Sequence, residues 1–150
     1  MLKEGDAAPD IQLRTDAGEE FRLSDLKGKR VVLYFYPKAD TPGCTTEACE
    51  FRDDIQGFEK KGAVVVGISP DKPAAQAKFK TKYHLPFSLL ADEEKTAAEA
   101  YGVWKEKNMY GRKVMGIERT TFVIGPDGTI EKIYGKVKAK GHAADVLENL

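Results

Sequence analysis

Two near-continuous apolar runs, Val31-Val-Leu-Tyr-Phe-Tyr36 and Ala63-Val-Val-Val-Gly-Ile-Ser69, constrain this chain more than any other feature. Each has the length of a strand and neither alternates with polar residues, which is the pattern of parallel strands covered on both faces. Parallel neighbours need a crossover of a dozen or more residues, usually a helix. The segment between the runs supplies one. Ala48, Phe51, Ile55 and Phe58 recur at intervals of three, four and three, the apolar stripe of an amphipathic helix facing a core.

The start of that crossover is where the chemistry concentrates. Thr41-Pro42 has the grammar of a helix N-cap and first helical residue: the hydroxyl accepts from orphan backbone N–H groups, and proline has none to lose. Cys44 then falls in the first turn, where unpaired N–H groups and the positive end of the helix dipole favour a thiolate over a thiol. Projected along the helix, Cys44 lies on the apolar stripe, whereas Cys49 leans toward the face carrying Arg52, Asp53 and Gln56. One sulfur points inward and the other toward water. Residues five apart in a regular helix have Cα atoms separated by roughly 8 to 9 Å, beyond the ~7 Å that a disulfide spans without backbone movement. Pairing them requires the first turns to unwind. On spacing alone two readings stand side by side, a reactive pair and two buried small hydrophobes.

Elsewhere strand and helix signals alternate, without repeats or low-complexity linkers. Ile11 to Leu13 and Phe21 to Leu23 flank the turn-rich Thr15-Asp-Ala-Gly18 and predict an N-terminal hairpin. A second helix is expected over Lys72 to Tyr83, a short strand at Ser88 to Leu90 and a third helix near Lys95 to Ala100. Thr121 to Ile124 and Thr129 to Tyr134 bracket Gly125-Pro-Asp-Gly128, a hairpin signal, and Ala143, Val146, Leu147 and Leu150 mark a final amphipathic helix. Trp104, Tyr101, Tyr110 and the phenylalanines read as core or pocket lining. At 150 residues the chain is expected to form one domain, residues 1–150.

Composition narrows the function classes. Twenty-four basic residues balance twenty-four acidic ones, so nothing favours nucleic acid as a partner. The local stretch Lys132, Lys136, Lys138 and Lys140 reads as solvated surface. No apolar run reaches spanning length and Met1-Leu-Lys-Glu-Gly-Asp lacks a signal core, so no membrane association is expected and the cytoplasm is the default address; an organellar mature form stays compatible. There structural disulfides are uncommon and a close cysteine pair more often cycles. His84, His142 and the two cysteines have no metal-ligand spacing, and Gly28, Gly43, Gly125 and Gly128 fall at turns without a phosphate-loop pattern. Neither metal nor cofactor is expected.

Pro37-x-x-x-Thr41-x-x-Cys44 resembles the active-site signature of the peroxiredoxins. The longer run Phe35-Tyr-Pro37-Lys-x-Asp40-Thr41-Pro-Gly43-Cys44-Thr-x-Glu47-x-Cys49 is similar to the bacterioferritin comigratory protein, or peroxiredoxin Q, subfamily. The likeness extends to Gly5-Asp-x-Ala-Pro-Asp10, Ser24-Asp-Leu-Lys-Gly-Lys29, Val66-Gly-Ile-Ser69, Phe87-Ser-Leu-Leu-Ala-Asp92, Tyr101-Gly-Val103 and Arg119-Thr-Thr-Phe-Val-Ile124. It covers nearly the whole chain. It implies a thioredoxin-like α/β fold, a central mixed sheet flanked by helices with the N-terminal β-hairpin as an addition. The element order fits that expectation.

The resemblance also implies a thiol-dependent peroxidase acting on hydrogen peroxide and organic hydroperoxides. Cys44 would be the peroxidatic nucleophile, with Thr41, the backbone N–H groups of Gly43 and Cys44, and Arg119 binding substrate. Arg119 precedes an apolar strand expected to neighbour the Val31 run, which would bring its guanidinium to the same end of the sheet. Pro37 would shield the sulfur, and Glu47 would either orient Arg119 or merely answer the helix N-terminus. Cys49 matches the resolving cysteine, forming an intramolecular disulfide that thioredoxin or a similar dithiol reductant reopens. A monomer is expected, or a weak dimer.

Two other readings compete. A thioredoxin-type oxidoreductase would want C-x-x-C where this chain has C-x4-C, and a proline where it has Thr120. A redox-sensing or holdase module would leave the Thr41, Cys44 and Arg119 set unexplained. The Gly-Gly-Leu-Gly and C-terminal Tyr-Phe segments of overoxidation-sensitive peroxiredoxins are both missing from the sequence, which implies relative resistance to sulfinic acid formation.

Overall fold

A computed structural model describes residues 2–150; Met1, the first residue of the N-terminal segment considered above, lies outside the described residues. The two apolar runs form β3 (Arg30–Phe35) and β4 (Ala63–Ser69), paired in parallel from Arg30 opposite Ala63 to Phe35 opposite Ile68. Strand β5 (Ser88–Ala91) continues the parallel set beyond β4. On the other side of β3 lie β8 (Thr120–Ile124) and β9 (Ile130–Tyr134), both antiparallel. The N-terminal hairpin of β1 (Gln12–Thr15) and β2 (Glu20–Arg22) docks antiparallel on β5, giving a seven-stranded sheet in the order β2-β1-β5-β4-β3-β8-β9. This is the thioredoxin-like arrangement with an added hairpin that the sequence implies.

Successive residues of β3 serve opposite layers, as a pleated strand demands. Val31, Leu33 and Phe35 meet Tyr101, Phe122 and Ile124 on one face, while Val32, Tyr34 and Tyr36 meet Ala48, Phe51, Phe58 and Phe79 on the other. The second layer is roofed by α1 (Pro42–Asp53), α2 (Ile55–Lys60), α3 (Pro73–Tyr83) and α5 (His142–Glu148). The short α4 (Thr96–Ala100) puts Ala97 and Ala98 into the first layer. Gly67 is required by packing: a Cβ there would stand 2.9 Å from the Tyr34 ring and hydroxyl, so its absence lets Tyr34 lie across the neighbouring strand.

Two features depart from the sequence expectation. The crossover stripe is shared by two helices rather than one, because the chain breaks at Asp54; Phe51 and Phe58 are buried from separate helices and Ile55 is half-buried. Residues 104–117 fold into an unforeseen hairpin of β6 (Trp104–Met109) and β7 (Arg112–Ile117), a two-stranded sheet of its own. Its turn, Tyr110-Gly111, has positive φ at both residues (53° and 77°), the geometry of a tight hairpin loop. Tyr110, expected in the core or a pocket lining, is instead completely exposed at this tip, whereas Tyr101 is buried and Trp104 half-buried against the first layer.

Candidate active site

The site forms where β3 ends and α1 begins. Pro37, half-buried, follows the fully buried Tyr36 and opens a five-residue loop, 37–41. That loop is pinned at two points. The Ala39 N–H donates to the Asp71 carboxylate at 2.7 Å, which also accepts from the Ser69 hydroxyl at 2.7 Å. Asp40, in the left-handed region at φ 60°, accepts from the Lys82 ammonium and the Tyr83 hydroxyl, each at 2.9 Å. Ser69 also accepts from Gln76, whose amide oxygen accepts from the Tyr36 hydroxyl. None of these supports was foreseen. The only sequence signal was the Ser-Pro-Asp turn after the second apolar run.

Thr41 is the extended N-cap residue and Pro42 the first helical one, with the Thr41 carbonyl accepting from Thr45 N–H at 2.8 Å. The expected cap by the Thr41 hydroxyl does not form. That hydroxyl donates back to the Lys38 carbonyl at 2.8 Å, which closes the loop on itself. Among the described residues no protein group accepts from the N–H of Gly43 or Cys44. The helix therefore begins with fixed, unengaged donors.

Cys44 is buried on the inward side of α1 and Cys49 is half-exposed, both as free thiols in an unbroken helix. The Arg119 guanidinium, arriving from just before β8, donates through Nη2 to Cys44 Sγ at 3.3 Å and through Nη1 to Glu47 Oε1 at 2.6 Å. Gly43 lets it come this close: a Cβ at that position would lie 3.2 Å from Nη2. Arg119 is held in turn by its own carbonyl, which accepts from Val137 N–H at 2.9 Å. Of the two readings left open for Glu47, the geometry shows the contact with Arg119.

Glu47 has no exposed surface, and its second carboxylate oxygen has no partner among the described residues. Burial pushes its acid form up to about 7, against the pull of the adjacent Arg119. The same pairing acts in the other direction on Arg119, which is raised despite its own burial. Tyr34, stacked on Phe51 at 4.7 Å between ring centroids, is the other buried group with an unpartnered polar atom, and burial drives its hydroxyl far up.

Of the two histidines, His84 ends α3 in the left-handed conformation. His142 is buried, hydrogen-bonded to the Thr121 hydroxyl at 2.7 Å and held edge-on by Phe51 and Tyr134. Burial brings it down to about 4, so it is neutral at physiological pH. Among the described residues no three His, Cys, Asp or Glu side chains are grouped to hold a metal ion, and no helix is long and apolar enough to cross a membrane.

A buried thiol at a helix N-terminus, with a guanidinium bonded to its sulfur at the end of a thioredoxin-like sheet, defines a class of thiol enzyme. Comparison with known proteins identifies which one. The model of the AhpC/TSA family matches residues 4–133. Peroxiredoxin Bcp of Bacillus subtilis is 53% identical over 97% of this chain and 93% of its own length, and Peroxiredoxin Bcp of Escherichia coli 45% identical over 97% and 94%. Among solved structures, the bacterioferritin comigratory protein of Xanthomonas campestris superposes with a TM-score of 0.89 at 40% identity, covering 93% of this chain and 88% of that one. A cysteine-to-serine mutant of Xylella fastidiosa PrxQ gives 0.94 at 37% identity, over 99% and 95%. The chain belongs to the AhpC/TSA family, within its Bcp/peroxiredoxin Q group, and is a peroxidase of the oxidoreductase class.

Proposed function

We propose that Cys44 is the peroxidatic residue of a thiol-dependent hydroperoxide reductase and Cys49 its resolving partner. The observation that carries this reading is the Arg119 guanidinium donating to Cys44 Sγ while Glu47 holds its other edge. A thiolate there attacks the terminal oxygen of a hydroperoxide. The S–O bond forms as the O–O bond breaks, and the O–O electron pair leaves with the distal oxygen as hydroxide or alkoxide, which takes a proton from water. Cys44 is left as a sulfenic acid. The free N–H groups of Gly43 and Cys44 and the lone pairs of Thr41 Oγ1, whose proton faces Lys38, bind the peroxide oxygens. Pro37 and the buried wall of Tyr36 limit water at the sulfur.

Resolution follows from the placement of Cys49. Its thiolate displaces hydroxide from the sulfur of the Cys44 sulfenic acid, giving a disulfide and water after protonation, and α1 must unwind through its first turns for the two sulfurs to meet. A dithiol reductant of thioredoxin type then returns both thiols by exchange. Hydrogen peroxide and organic hydroperoxides are the proposed substrates; the alkyl peroxide reduction activity described for the Xanthomonas campestris protein supports the second class. An antioxidant role as a cytoplasmic monomer completes the reading.

Stopped-flow oxidation of the reduced protein by hydrogen peroxide, followed by intact-mass analysis, tests it. Rapid consumption of one equivalent with loss of two hydrogens is expected. Oxidation as slow as that of an ordinary thiol would overturn the assignment.

A further inference from the structure

Two hydrogen bonds of the 37–41 loop meet on a single peptide unit. The Lys38 carbonyl accepts from the Thr41 hydroxyl at 2.8 Å, and the Ala39 N–H donates to Asp71 Oδ2 at 2.7 Å. That carbonyl and that N–H belong to the same planar trans amide and point away from its opposite edges. Asp71 and Thr41 therefore hold one rigid plate from either side.

Asp71 is itself oriented from the core. Its Oδ2 also accepts from the Ser69 hydroxyl at 2.7 Å, and Ser69 in turn accepts from Gln76 Nε2 at 2.8 Å. Gln76 spends its other contacts on the Leu90 carbonyl, to which Nε2 donates at 2.8 Å, and on the Tyr36 hydroxyl, from which its amide oxygen accepts. Tyr36, Ser69 and Gln76 are all buried. With Gln76 donating to its oxygen, Ser69 turns its own proton to Asp71. The network thus runs from the end of β3, through α3 and the end of β4, back to the loop that carries Thr41.

We propose that Asp71 is a positioning residue for peroxide reduction: by holding the Lys38–Ala39 amide it commits the Thr41 proton to the Lys38 carbonyl, so that Thr41 Oγ1 meets the substrate as an acceptor only. The inference rests on Cys44 being the peroxidatic residue and on Thr41 binding its substrate. A free hydroxyl rotates to donate or to accept. A carboxylate bonded to an amide N–H polarises the amide, and its carbonyl becomes the stronger acceptor for the hydroxyl on the far side. Among the described residues no protein group donates to Thr41 Oγ1, so its lone pairs stay open. The oxygen that the thiolate attacks carries the hydroperoxide proton, and a Thr41 lone pair accepts from that O–H and fixes the oxygen beside the sulfur. The proton is not transferred: it remains on the attacked oxygen and ends as the O–H of the sulfenic acid. Asp40, bonded to Lys82 and Tyr83 at 2.9 Å each, anchors the loop separately, so loss of Asp71 frees the amide without releasing the loop.

The test compares two reactions of one thiolate. Single-turnover oxidation of Cys44 by hydrogen peroxide, and its alkylation by iodoacetamide, are measured for the wild type, Asp71→Ala, Asp71→Asn, Thr41→Val and the Asp71→Ala/Thr41→Val double variant. Alkylation uses the same sulfur but offers no O–H for Thr41 to accept. Thr41→Val is expected to lose about tenfold with peroxide, the worth of one hydrogen bond, and Asp71→Ala about three- to fivefold. Asp71→Asn keeps an oxygen for the Ala39 N–H and should recover most of that loss. Alkylation of both Asp71 variants should stay within about twofold of wild type, and in the Thr41→Val background removing Asp71 should cost less than about 1.5-fold more, because the group it acts through is gone. A wild-type oxidation rate in Asp71→Ala, equal losses in oxidation and alkylation, or losses that multiply in the double variant would each overturn the proposal, as would an unchanged rate in Thr41→Val. Slow oxidation of the wild type itself would instead overturn the assignment of Cys44.

Discussion

Two buried titratable groups beside the Cys44 helix impose opposite pH dependences on stability, and removing either one exposes the other. His142 falls from 6.5 to about 4 on burial. Between those values the unfolded state binds a proton that the folded state does not, so His142 makes stability rise with pH across the window. Glu47 climbs from 4.5 to about 7, also through burial. Between those values the folded state holds the proton, so Glu47 makes stability fall as pH rises. Each slope is at most about 1.4 kcal/mol per pH unit. The windows overlap from about pH 4.5 to 6.5, and there the two cancel in the wild type. His142→Asn deletes the rising contribution, so its stability relative to wild type should decline by about 2 kcal/mol across that window. Glu47→Gln should improve relative to wild type by a similar amount. Constant losses, such as the Thr121 hydrogen bond, shift each curve without tilting it, and the carboxylates of Asp10 and Asp127, both lowered by backbone hydrogen bonds against a burial cost, are common to all variants. Urea denaturation of the reduced proteins at pH 4.5, 5.5 and 6.5, analysed as differences from wild type, reads the tilt directly. Parallel curves, or tilts of the same sign for both variants, would refute the reasoning.

Cys49→Ser should leave single-turnover oxidation by peroxide near the wild-type rate while abolishing turnover driven by a thioredoxin-type reductant, whereas Cys44→Ser should abolish both; equal single-turnover losses would contradict that division. Arg119→Lys should slow Cys44 oxidation by about ten- to a hundredfold, because one ammonium cannot reproduce two charge-assisted contacts worth about 1.5–3 kcal/mol each; an unchanged rate constant would remove Arg119 from the site. Peroxide titration followed by mass spectrometry should show the disulfide well before any sulfinic acid, and the doubly oxygenated form at low equivalents would contradict the resistance that the resemblance implies.

The parts of the fold that the sequence disclosed are those whose signal is local and periodic. The runs that became β3 and β4 were legible because burial on both faces leaves no polar positions, and the second hairpin because Gly125-Pro-Asp-Gly128 has turn chemistry of its own. The β6–β7 hairpin escaped because its strands, Trp-Lys-Glu-Lys-Asn-Met and Arg-Lys-Val-Met-Gly-Ile, lack a clean alternation and bury little; only the Tyr110-Gly111 turn marked it. At the site, Cys44, Cys49, Pro37 and Thr41 come from one contiguous signature, and Arg119 was placed by expecting its strand beside β3. Long-range supports had no comparable signal. Asp71 holding Ala39, Lys82 and Tyr83 holding Asp40, and His142 under Thr121 each join residues that only the sheet order brings together. The Thr41 hydroxyl shows the limit of local grammar: its position as N-cap was readable, yet its bond went to Lys38 because the preceding loop turns tightly enough to present that carbonyl.

The contacts that assemble the site also oppose the proposed pairing of Cys44 with Cys49. For Cys44 to reach Cys49, the first turns of α1 must leave the helix, and this segment is fastened along its length. Cys44 and Glu47 are held by Arg119, the Glu50 carboxylate accepts from Gly141 N–H at 2.7 Å, and Arg52 donates to the Tyr83 carbonyl at 2.7 Å. Glu50 and Arg52 lie at or beyond Cys49 and anchor the half of the helix that can stay folded while the N-terminal half opens. The contacts to Arg119 lie in the half that must open, and both are sensitive to chemical state. Oxidation of the sulfur changes the acceptor facing Nη2, and protonation of Glu47 near neutral pH weakens the acceptor facing Nη1. In the proposed reaction the clasp on Cys44 is therefore the one that oxidation itself loosens, while the anchors that would confine unwinding to a few residues lie outside its reach.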